Sequence, residues 1–155
     1  MGSWRCFLLR RLRSAAELSA DELWLSVRAI GWLAIARVTL ATLGFPRVRR
    51  ALDARPSPND RSETSPAAVR RAVMRAARTL PGSDCLPQAV AAYALLRGAG
   101  QPAELTIGVR RGAERAPGPL DAHAWVHSGS FLVTGDAGGT DLAAFTELAR
   151  FRGGL

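Results

Sequence analysis

The chain has 155 residues, 48% of them apolar, and carries a formal charge of +8. That length holds one domain with a modest core, and the composition excludes a disordered or fibrous chain. Every one of the 21 basic residues is Arg; the charge suits an anionic partner or, because the arginines spread over several segments, a solvated Arg-rich surface.

Met1–Leu12 is basic and partly apolar but has no long apolar run and no cleavage site, so it is not read as a signal peptide. Residues 17–44 read as one or two helices, started by Asp21 and Glu22 and stopped by Gly44 and Pro46. Leu23–Phe45 is long enough to span a bilayer, yet Arg28 and Arg37 interrupt it. Each would cost about 2.5–3.5 kcal/mol at a bilayer centre. A helix packed on the protein, or touching a membrane surface, fits better.

Residues 53–65 are polar with two prolines and read as a linker or exposed loop. Ser65 caps a helix with Pro66 in its first turn, running to Leu80, with Val69, Val73, Ala76 and Leu80 as its inner stripe. The next helix begins at Asp84-Cys85, with Ser83 or Asp84 as cap, and closes at Gly98 and Gly100. From Ala103 to Arg110 the period changes to two, which marks a half-buried strand. Arg111–Leu120 is a loop, and two short strands, His123–His127 and Ser130–Thr134, flank a Ser128-Gly129 turn. A last helix is expected over Asp141–Phe151. The layout is α+β, with N-terminal helices over 1–52, a linker over 53–65 and a core over 66–155 in which one central helix packs on a small antiparallel sheet.

Of the two cysteines, Cys6 lies in the basic N-terminus and Cys85 opens a helix. This is neither a disulfide framework nor a metal cluster, so no metal is expected. At a helix start, unpaired N–H groups and the dipole favour a thiolate and can donate to an oxyanion. The bland alternative is a buried structural thiol. A thiol nucleophile needs a base that returns a proton to the leaving amine, and His is the side chain suited to this. His123 and His127, both in HAWVH, are the candidates.

A two-residue Ser128-Gly129 turn would set His123 opposite Thr134 and put Asp136 diagonal to His123 on one face. Asp121 shares that face but would oppose Asp136. Pairing is therefore expected to fail by Asp121, and Asp136 is preferred as the acid that orients His123. His127 lies toward the turn and is read as exposed. Trp125 and Gln88 are candidate substrate-binding residues, against plainer roles in packing and on a polar helix face. Asp84 is read as a cap.

Asp84-Cys85-Leu86-Pro87-Gln88-Ala89, Ala103–Val109, Ala122-His123-Ala124-Trp125-Val126 and Gly135-Asp136, in this order and spacing, resemble the transglutaminase-like leader peptidases of lasso-peptide biosynthesis. The resemblance covers roughly residues 66–151. It implies a papain/transglutaminase-like fold with Cys85 as nucleophile, His123 as base and acid, and Asp136 as orienting carboxylate. It also implies removal of the leader from a ribosomally made precursor peptide, in the bacterial cytoplasm and with no cofactor. The chain has no room for the fused winged-helix leader-recognition domain of some members, so the resemblance is to the stand-alone form. The partners implied are that precursor, a separate recognition protein and a lasso cyclase. Two alternatives stand beside it: a transglutaminase-type acyltransferase, and a non-catalytic Arg-rich adaptor for membrane or nucleic acid. Nucleic acid is not expected, for want of a groove-binding motif; peripheral membrane contact stays open.

Overall fold

The computed structural model describes residues 19–54, 63–80, 84–111, 120–136 and 139–153. Residues 112–119 of the expected loop, most of the expected linker, the Ser83 cap and Met1–Leu12 with Cys6 lie outside the described residues, while Arg111 and Leu120, expected in the loop, are strand ends.

Helix α1 spans Ala20–Leu43, and the Ser19 hydroxyl caps it by accepting from the Glu22 N–H at 3.2 Å. One side of it is fully buried at Ala29, Leu33 and Ala36. The helix ends at Gly44, but Pro46 then sits in the first turn of α2 (Phe45–Asp53), a helix not anticipated from the sequence. Proline is tolerated there because a first-turn N–H has no intrahelical partner. Helix α3 (Pro66–Thr79) starts as expected, with Ser65 Oγ accepting from the Ala68 N–H at 3.2 Å. Helix α4 (Cys85–Gly98) is buried continuously from Ala89 to Leu96 and forms the centre of the molecule.

Strands β1 (Ala103–Arg111), β2 (Leu120–Ser128), β3 (Phe131–Thr134) and β4 (Thr146–Gly153) form one antiparallel sheet in the order β3-β2-β1-β4. The helix expected over Asp141–Phe151 is absent. A short 3-10 turn at Leu142–Ala144 leads instead into β4, which covers the second edge of β1. Period-two alternation gives the sheet two different faces. Leu105, Ala124, Val126 and Val133 point to the helices and share one core with Leu33, Val69, Val73, Val90 and Leu96. The opposite face carries Glu104, Thr106 and Gly108 of β1, which oppose His127, Trp125 and His123 of β2.

The N-terminal helices thus belong to the same core as the sheet. Truncating a fully buried residue such as Leu33 to Ala would cost about 2–5 kcal/mol.

Candidate active site

Cys85 is the first residue of α4 and is partly buried against the edge of the core. Asp84 occupies the cap position, but its side chain makes no capping hydrogen bond, against expectation. Pro87 has no N–H, and the Gln88 N–H is taken by the Asp84 carbonyl at 3.3 Å. Among the described residues, the N–H groups of Cys85 and Leu86 are therefore the first-turn donors left to face a ligand. Gln88 lies half-buried one turn further on.

Helix α4 packs on β1 and leads into it through residues 99–102, so the two run in opposite directions. Its 14 residues span about 21 Å, the length of about six strand residues. On the far part of β1, Gly108 and Val109 pair with His123 and Ala122 of β2. The helix that begins with the thiol thus packs on the sheet whose strand β2 carries His123.

The ring of His123 is held by three contacts. Nε2 lies 2.7 Å from the Gly135 carbonyl oxygen, Trp125 stacks at 6.2 Å and Phe145 tilts against it at 5.4 Å. These draw the ring to the sheet face away from the helices. No hydrogen bond joins Cys85 to His123 among the described residues.

The β2–β3 hairpin differs from the expected register. The turn residues are Gly129-Ser130, and a bulge between Val126 and His127 moves Thr134 opposite Val126. The chain then crosses closely over Trp125 at Gly135, whose φ is +112°. A Cβ there would lie 2.2 Å from Trp125 Cβ, so only glycine fits. This crossing delivers the Gly135 carbonyl to His123.

Asp136 follows directly, but its carboxylate, expected to orient His123, bonds Arg70 instead. Arg70 of α3 takes it: Nη2 donates to Asp136 Oδ2 at 2.5 Å and Nη1 to the Leu132 carbonyl at 3.1 Å. The Arg70 hydrogen bond is the largest cause holding the Asp136 carboxyl below the usual carboxylate range, against a smaller opposing effect of burial. Asp121 does not reach His123 either. It lies inside β2 and pairs with Arg110 at 2.8 Å. His127 is half-buried rather than exposed. Trp125 is 7% exposed and lies over Gly108, so packing accounts for most of its surface. Arg70 is the residue the sequence reading missed: its partners are 62 and 66 positions away, and no local pattern announces them. No group of metal-binding side chains occurs among the described residues.

A free thiol at the start of a central helix, backed by a four-stranded antiparallel sheet carrying a histidine, makes this an α+β domain. Residues 30–150 match the family model of the transglutaminase-like superfamily, and the chain belongs to that superfamily, which includes cysteine peptidases and acyltransferases. No curated protein and no solved structure matches the chain.

Proposed function

We propose that this protein is a cysteine peptidase that removes the leader from a lasso precursor peptide in the bacterial cytoplasm, with Cys85 as nucleophile and His123 as base and acid. The observation that supports the reading is the free thiol at the start of a buried helix in a transglutaminase-like domain, packed on a sheet that carries a histidine whose Nε2 is committed to Gly135. A carbonyl only accepts, so Nε2 carries the proton and Nδ1 is the nitrogen left to take one. Substrate binding must bring Nδ1 within about 2.6–3.2 Å of the sulfur.

In the first step the Cys85 thiol gives its proton to Nδ1, and sulfur attacks the carbonyl carbon of the last leader residue. The oxyanion is met by the N–H groups of Cys85 and Leu86. The C–N bond then breaks, and the imidazolium returns its proton to the departing amine. Water, deprotonated by His123, attacks the thioester; the C–S bond breaks and the thiol is restored. Asp136 serves through its pairing with Arg70, which holds the segment that carries the Gly135 carbonyl. A separate recognition protein delivers the leader, and a cyclase takes up the freed core.

The test is mass spectrometry of the precursor after incubation with the purified protein and its recognition protein. The expected products are two free peptides, absent with Cys85→Ala and with His123→Ala. Full cleavage by either variant overturns the assignment, and a conjugate with an added amine marks acyl transfer instead.

A further inference from the structure

Helix α1 is apolar on both sides, and only one side is covered. Leu23, Trp24, Val27, Ile30, Ile35 and Val38 are 39–63% exposed. At 3.6 residues per turn they fall within one arc of about 140°. Every other position in that arc is Ala, Gly or Thr, so it holds no charge. Its one hydroxyl, Thr42, is turned back onto the Val38 carbonyl at 2.8 Å. Arg28 borders the arc on one side and Arg37 on the other. At the C-terminal end Arg47 lies beside Ile35 and Leu43 in a shallow apolar groove between α1 and α2.

We infer that this face docks on an anionic membrane surface, with α1 lying in the plane of the interface. A protein partner takes its register from polar and charged groups on the surface it meets, and the arc has none to offer. A lipid surface needs none: the apolar side chains enter the acyl boundary while the exposed Arg37 and Arg47 face the phosphates; Arg28 turns its guanidinium toward Gly98 of α4. The positive borders and the net charge of +8 select anionic lipid. Asp21 and Glu63 are acidic neighbours at the N-terminal end of the helix, so docking engages the C-terminal two-thirds most closely. The helix passes the length and hydropathy test for a membrane span. Its other side is locked into the core at Ala29, Leu33 and Ala36, however, and leaving would expose that core. It therefore lies on the membrane rather than crossing it.

The experiment is co-sedimentation of the full chain with vesicles of phosphatidylcholine, with and without phosphatidylglycerol. The wild type is expected to bind the phosphatidylglycerol vesicles about tenfold better, and less well as salt rises. The double variant Val27→Glu/Val38→Glu is expected to lose binding about tenfold with an unchanged far-ultraviolet circular dichroism spectrum. Arg37→Glu is expected to weaken binding to the anionic vesicles alone. All these proteins share the same N-terminal residues, so a loss belongs to α1. The inference is overturned if the wild type ignores both vesicles, or if the glutamate variant binds as well as the wild type. It is equally overturned if light scattering finds a wild-type dimer that the glutamate variant dissociates, since a second copy would then cover the face.

Discussion

His123 is anchored by a backbone group: its Nε2 donates to the Gly135 carbonyl oxygen at 2.7 Å. An expected side-chain partner has been replaced by the peptide unit just before it. The orientation of the imidazole thus depends on where the chain runs after β3, and less directly on the carboxylate of Asp136.

Gly135→Ala is expected to be severe. The added Cβ meets Trp125 Cβ at 2.2 Å and Trp125 Cα at 3.0 Å, on a backbone with φ of +112°. Backbone strain and overpacking together should cost about 2–4 kcal/mol in urea unfolding. A variant within about 0.5 kcal/mol of the wild type would show that the crossing over Trp125 is not as close as described.

The Arg70–Asp136 pair predicts a particular pH dependence. Arg70 lowers the Asp136 carboxyl in the folded state. The resulting stability is present above the ordinary unfolded Asp value of about 3.9 and is lost as pH falls through the lowered folded value. Arg70→Gln should therefore be less stable than the wild type at neutral pH, with the two converging in acid. Both side chains are about a third exposed, so a double-mutant cycle with Asp136→Asn should give a coupling of only about 0.5–1 kcal/mol. Unfolding midpoints across pH check both. A gap that persists unchanged below pH of about 2 would mean that Arg70 acts through the Leu132 carbonyl alone.

Cys85→Ala should separate chemistry from folding. Cys85 is partly exposed at the helix start and packs only at the core edge. Stability should stay within about 1 kcal/mol of the wild type while cleavage is lost. In a Cys6→Ser background, iodoacetamide should label one site, and labelling should abolish activity. Full activity after complete labelling would remove the thiol from the chemistry.

Gly108→Val tests the outer sheet face. A Cβ at this position meets Trp125 Cη2 at 2.8 Å and Phe145 Cβ at 3.1 Å. Trp125 must move, and His123 stacks on it. Destabilisation of about 1–3 kcal/mol and a shift in tryptophan emission are expected. Unchanged emission would show that the indole does not lie over Gly108.

The sequence is legible where local chemistry and tertiary packing agree. Ser65 with Pro66, and Asp84 before Cys85, mark helix starts that the structure keeps. Ala103–Arg110 alternates as a strand and becomes one. The stretch after Asp141 fails because Ala143, Ala144, Leu148 and Ala149 have good helix propensity. The exposed edge of β1 needed a partner, and backbone pairing outweighed that preference. Phe151 suits the strand, since it packs its ring, tilted, against Phe45 of α2. The site was legible in part. Cys85 and His123 could be chosen from residue type and order. The Gly135 carbonyl and Arg70 could not, because a bulge sets the first and a contact 66 positions away brings the second.

Helix α4 is enclosed from Ala89 to Leu96 while its first four residues stay partly open. Stability and chemistry are therefore written into consecutive but separate stretches of one helix. Substitutions at Leu86 or Gln88 can retune what the thiol meets without loosening the rod behind it. Such a domain can change substrates over generations while its fold stands still.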